Sequence, residues 1–243
     1  MCFHSFVCSF VCSFVFFSSS ILQTPPEHLQ SFIPTILQLL MMRLQTNMTQ
    51  RFCRLLVKLL CILSLKHGAA AVVATLEGIQ AGMTSMLINQ IWVKTVEATP
   101  MNGASASDRI EAKVCLLGMG KLLAEADGVK GDEATWTALL SSLVSVLDAG
   151  QTLAASGEGD DNDVGAERLA FDGDAYSELK FAAAATPEDP LPEVANAAAS
   201  AVQLLGQLCQ GAPGVYSTRM AKLPPEKAEC LAKICQAHGV QIV

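Results

Sequence analysis

The sequence predicts an all-α protein, an α-solenoid of paired helices, and three observations carry that prediction. Alanine fills 33 of 243 positions while Phe, Trp and Tyr reach only 6%, a bias toward helix formers and away from the residues of sheets. Apolar residues recur at three- and four-residue spacing from about residue 25 onward, and no strand alternation interrupts them. The helical segments come in pairs about forty residues apart, the signature of stacked helix-turn-helix units. An irregular helical bundle is the alternative. It calls for longer helices of matched length than the short 69–79 and 175–185 segments supply.

Each element follows from its punctuation. Thr24-Pro25-Pro26-Glu27 opens a helix whose Phe32, Ile33, Ile36, Leu37, Leu40 and Leu44 share a face, with Pro34 expected to kink or divide it. Asn47 to His67 comes next, closed by Gly68, with Phe52, Leu55, Leu56, Leu59, Leu60 and Leu63 on one stripe. A short helix from Ala69 to about Ile79 precedes one from Met83 to about Ala98, with Met83, Met86, Leu87, Ile91 and Trp92 or Val93 inward. Asn102 to Ser107 reads as a loop. Asp108 and Glu111 have capping-box spacing for a helix to about Ala126, and Asp132 caps another from Glu133 to Asp148, with Gly150 past its end. Beyond the breakers Pro187, Pro190 and Pro192, helices are expected at Glu193–Gln210 and Pro225–His238. The whole reads as a solenoid of HEAT type.

Four regions result. Residues 1–20 repeat Ser-Phe-Val-Cys almost three times without a charge and read as a low-complexity apolar segment outside the fold; a signal or anchor is the rival reading, although a basic amino-terminal stretch is missing. Residues 21–148 hold the helix pairs. Residues 149–174 carry seven acids against Arg168 alone and read as an acidic loop, and residues 175–243 are C-terminal capping helices.

Charge and motifs narrow the function. The formal net charge of −7 excludes a general nucleic-acid binder, which needs surplus cations to displace phosphate counterions. It is polarised: residues 1–68 hold five basic residues against one acid, residues 149–243 six against thirteen. Nine cysteines without a Cys-x-x-Cys, four of them (Cys53, Cys61, Cys115 and Cys209) inside apolar runs, read as reduced core residues. Gly118-Met119-Gly120-Lys121 lacks the spacing and the strand of a phosphate loop, so its glycines are expected to allow close helix packing. Cys230, Cys235 and His238 lack a fourth zinc ligand nearby, Asp160, Asp161 and Asp163 lack the calcium-loop register, and the four histidines lack a nucleophile at motif spacing. No catalytic site, metal or cofactor is expected.

The particular residues are familiar. Lys66-His67-Gly68, Ile79-Gln80-Ala81-Gly82-Met83, the run Lys113 to Glu125, and Trp136-Thr137-Ala138-Leu139-Leu140 resemble the C-terminal region of the CAS exportins, as do Tyr176 to Ala182 and Asp189-Pro190 after the acidic stretch. The resemblance covers roughly Ile21 to Val243, with Thr84-Ser85 departing from the family's usual aromatic and glycine. These exportins are importin-α re-exporters of the importin-β superfamily. The resemblance implies a non-catalytic transport receptor that shuttles between nucleus and cytoplasm, carrying importin-α with Ran-GTP. The family's chain is several times longer, so the first helix pair is expected to bare an apolar face that a preceding repeat covers. In this superfamily the second helix of a pair lines the concave face. Arg51, Arg54 and Lys58, at i, i+3 and i+7 on the Asn47–His67 helix, are therefore the expected contacts for an acidic partner.

Overall fold

The computed structural model describes residues 25–98, 106–156, 189, 191–212 and 214–240, and every regular element among them is helical. Pro34 divides the first segment instead of kinking it. Helix α1 is Pro26–Leu29 and α2 is Ile33–Thr46, with Pro34 in the first turn of α2, where a missing amide hydrogen has no intrahelical partner to lose. Helix α3, Gln50–His67, starts three residues later than Asn47, because the Thr49 hydroxyl accepts from the Phe52 amide at 3.3 Å and caps it there. Gly68 at φ 85° turns the chain directly into α4, Ala69–Ile79. Gly82, also left-handed at φ 77°, leads into α5, Met83–Ala98. The Glu77 carboxylate accepts from the amides of Gly82 at 2.7 Å and Thr84 at 3.0 Å, so α4 caps the start of α5.

Within α5 the residues Leu87–Trp92 form a π-helical stretch. Its wider turn places Leu87, Ile88, Ile91 and Trp92 inward together, which settles the Trp92-or-Val93 ambiguity in favour of Trp92. Helix α6 is Ala106–Glu125, α7 Asp127–Gly131 and α8 Glu133–Ser156. Asp132 caps α8 as its position predicts, accepting from the Ala134 and Thr135 amides at 3.1 and 3.4 Å. Gly150 does not end α8, which takes in residues expected in the acidic loop; one helical glycine costs only about 1 kcal/mol. The rest of that loop and the expected 175–185 helix lie outside the described residues, as do residues 1–24. Asn196 caps α9, Ala197–Gly211, through the Ala199 amide at 2.9 Å, four residues beyond the expected start. A short α10, Val215–Met220, was not legible in the sequence, and α11, Pro225–Ala237, closes the described chain before Gly239 at φ 68°.

The helices stack in two layers. In one, α6 lies between α3 and α9; in the other, α8 packs against α5 and α11, while α2 rests on α4. Successive pairs touch mainly their neighbours, the pattern of a HEAT-like solenoid and not of a bundle around one axis. Helix α6 is central, and every residue from Val114 to Gly120 on it is buried. A Cβ added at Gly118 would stand 2.5 Å from Cys61 Cβ and 2.6 Å from Cys61 Cα, so α3 and α6 cross almost backbone to backbone. Gly120 faces α9, where an added Cβ would meet Leu204 and Ala201 no closer than 3.5 Å. Trp136, fully buried on α8, donates from its indole to the Leu123 carbonyl at 3.3 Å and packs on Tyr216 of α10 at 5.2 Å between ring centroids.

Two outcomes follow for stability. G118A forces α3 and α6 apart and loses about 1–3 kcal/mol, whereas G120A stays within ordinary contact and gains up to about 1 kcal/mol of helix propensity; chemical denaturation of both variants checks the opposite signs. Hydrogen bonds from Thr135, then from Ser85 and the Ala134 amide, hold the Asp132 carboxyl below its ordinary 3.8 against the opposing effect of burial. Its contribution is therefore complete above about pH 4 and is lost as the pH falls through the lower folded-state value. D132A should cost about 1 kcal/mol at neutral pH and flatten that acid limb in urea titrations.

Candidate interaction face

Helix α3 positions the three predicted cations differently. Arg51 is exposed and Lys58 half-buried. Arg54 departs from the expected stripe: its Nε donates to Glu111 Oε1 at 2.8 Å, and its Nη2 donates to Glu111 Oε2 at 3.1 Å and Asp108 Oδ1 at 2.9 Å. Its side chain keeps 23% exposure and that of Glu111 only 11%. Burial favours neutral Arg54, but the Glu111 and Asp108 carboxylates outweigh it and raise the guanidinium pKa. The spacing that places Arg54 near Arg51 and Lys58 also aims it at the neighbouring α6. Neither sequence distance nor periodicity on α3 could reveal two acids fifty-odd residues away.

The same contact corrects the reading of Asp108 and Glu111 as a capping box. Helix α6 begins at Ala106, so Asp108 lies inside its first turn, and both carboxylates serve the ion pair with α3. A carboxylate in a first turn still favours the helix through the dipole.

Several other cations bind back onto the molecule. Lys113 on α6 donates to Asp189 Oδ2 and the Leu191 carbonyl, both at 2.7 Å, and the Leu191 amide donates to Asp189 Oδ1 at 3.0 Å, a clasp that fastens the approach to α9. Arg219 donates to the Lys130 carbonyl at 2.6 Å with its guanidinium carbon 5.4 Å from the Tyr216 ring and 5.9 Å from Trp136. Lys222 pairs with Glu133, and Lys227 donates to Ser141 Oγ at 2.7 Å.

The cysteine and histidine candidates do not assemble a ligand set. Cys235 is buried, and burial with the nearby Cys209 pushes its thiol up to about 11. Cys230 sits 3.4 Å from Asp148 Oδ1; burial and that carboxylate likewise push it up to about 11. Among the described residues no three His, Cys, Asp or Glu side chains are grouped to hold a metal. Asp160, Asp161 and Asp163 lie outside those residues. Among the described helices none is long and apolar enough to cross a membrane; α4 and α5 reach that length only across a 102° bend.

A family model described as the C-terminus of the CAS/CSE proteins matches residues 11–234. Curated relatives named exportin-2 from Pagrus major and Homo sapiens are 29% and 28% identical over 234 residues, covering 95% of this chain and 23% of theirs. The chain thus spans about a quarter of the length of the curated relatives it matches. Among solved structures, the exportin Cse1 in its cargo-free, cytoplasmic state superposes with a TM-score of 0.62 at 17% identity, over 91% of this chain and 21% of that one. At that identity the likeness speaks for the fold.

Substitutions should separate the three cations. R54A leaves Glu111 nearly buried without its partner and should lower stability by about 2 kcal/mol, while R51A and K58A should each change it by about 0.5 kcal/mol or less in the same denaturant titration.

Proposed function

The chain belongs to the CAS/CSE protein family, and we propose that it is the C-terminal segment of a nuclear transport receptor that carries importin-α from nucleus to cytoplasm in complex with Ran-GTP. The family match over residues 11–234 carries this reading. The two-layered helical array supports it, because an open stack with neighbour-only contacts presents a large surface and can change curvature without breaking its core. The work is done by binding. If cargo and Ran-GTP favour the same curvature, each raises the affinity for the other without any bond being made or broken. The receptor would shuttle through nuclear pores, and this segment would supply the terminal part of its surface.

Arg51 and Lys58 are the proposed contacts for an acidic partner surface. Arg54 serves them indirectly, by fixing α3 against α6 so that the two neighbouring cations are presented from a rigid helix. Charge across such a surface acts chiefly on encounter, which ionic strength screens.

R51E/K58E in a receptor of full family length should leave helicity and melting nearly unchanged. The same variant should slow association with importin-α and Ran-GTP about tenfold at low salt and flatten the salt dependence of the rate, as read by surface plasmon resonance. Unchanged association at low ionic strength would return both residues to plain solvation.

A further inference from the structure

Glu97 and Lys227 carry charges that their own helices disfavour. Glu97 stands in the last turn of α5, where the negative end of the helix dipole repels a carboxylate, and Lys227 stands in the first turn of α11, where the positive end repels an ammonium. The two meet across a third helix. Lys227 Nζ lies 3.9 Å from Glu97 Oε1 and donates to Ser141 Oγ at 2.7 Å and to the Ser141 carbonyl at 3.3 Å, so the side chain crosses α8 with a fixed point beneath it. Helix α8 leaves room for the crossing: Ala138, Ser141 and Ser145, at i, i+3 and i+7, are half-buried, and none is larger than serine. The Lys227 side chain keeps 25% exposure and that of Glu97 58%, so the ammonium is held against the protein while the carboxylate faces water.

We propose that Lys227 is a strap across α8, one that ties α11 to α5 and limits how far this layer of the array opens. Helices α5 and α11 both pack on α8, so a bend of the array at α8 changes the gap between them while each keeps its own seat. Contacts of α8 with either neighbour survive such a bend. The pair of Lys227 with Glu97 spans both neighbours and must part when the gap widens, whereas the reverse bend leaves it intact. An ion pair this exposed is weak and screened by salt, which suits a restraint that is released and re-formed. The two bonds to Ser141 keep the ammonium in place over α8 when the carboxylate leaves, so the link closes again without a search. Arg54 in the other layer is different in kind: it is held by two carboxylates of the adjacent helix and crosses no third one. The strap acts on the curvature of the array, and it stands whether or not importin-α and Ran-GTP are the partners.

The test is amide hydrogen exchange on the full chain, followed by mass spectrometry of peptides covering residues 93–98 and 225–237. E97Q keeps the shape of its side chain and removes the charge. It should speed exchange in α11, on the far side of α8, about two- to fivefold, the range open to an ion pair of this exposure. K227M keeps a long stem and loses the ammonium, and it should speed exchange in the last turn of α5 by a similar factor. Once Lys227 is replaced, adding E97Q should have no further effect on α11, because both changes break one link. Sodium chloride at about 1 M should reproduce the effect in the unaltered chain and leave E97Q unmoved. A water-soluble carbodiimide should join Glu97 to Lys227 as an amide with loss of water, and the joined chain should exchange more slowly at both sites. An effect of E97Q confined to α5 would overturn the proposal, since Lys227 then only fixes α11 on Ser141. So would equal exchange in all the chains, additive effects on α11 in the double variant, or no Glu97–Lys227 amide among the linked peptides.

Discussion

The crossing of α3 and α6 at Cys61 and Gly118 sets the geometry on which the rest of the array depends. With Cys61 backbone where a Gly118 side chain would be, the two helices approach more closely than any pair of side-bearing residues permits. Helix α6 is not free to rotate, because the next glycine, Gly120, presents its other side to Ala201 and Leu204 of α9. Two glycines two residues apart thus face opposite neighbours, and the spacing of one layer is written into a single short run. The Cys61 thiol lies 3.8 Å from the Cys115 carbonyl at the same crossing, and burial raises its pKa well above the ordinary value. In this position it is a small packing group rather than a reactive one.

Polar contacts reinforce the register that this close approach sets. Arg54 reaches from α3 to Asp108 and Glu111 near the start of α6, and Lys121 donates to the Leu65 carbonyl at 3.4 Å near its other end. Charge-assisted hydrogen bonds at two points reinforce the axial register that the glycine crossing already imposes. The second layer uses another device: Ser85 and Asn89 of α5 bond to Asp132 and Thr135 at the start of α8. A cap thereby doubles as an inter-helix joint.

Much of the fold was legible because its punctuation is local. Asp132, Gly68 and Gly82 act within a few residues of themselves, and a reader of the chain sees their partners alongside, whereas the caps Thr49 and Asn196 were passed over for Asn47 and Glu193. What could not be read depends on distant residues. The stripe of Arg51, Arg54 and Lys58 is correct as helical geometry, yet which member faces solvent is decided by Asp108 and Glu111, far along the chain. Asp108 and Glu111 have the spacing of a capping box, and that spacing serves an ion pair equally well. The start of α9 was misplaced by four residues because Pro192 and Glu193 form a turn, closed by the Val194 amide on the Leu191 carbonyl that Lys113 also holds. The π turn in α5 has no signature in propensity and reflects the packing of Ile88 and Trp92.

That π turn also bears on how the length of the chain can change. A π turn holds about one residue more than an α turn, so a deletion within Leu87–Trp92 is absorbed by conversion to α geometry. Met83 at one end of α5 and Val96 at the other would keep their places against the core. In α6 the same deletion would rotate everything beyond it by about 100° and carry Gly118 or Gly120 away from the neighbour it admits. One helix of this array has slack for an inserted or lost residue in its descent, and the helix at its centre has none.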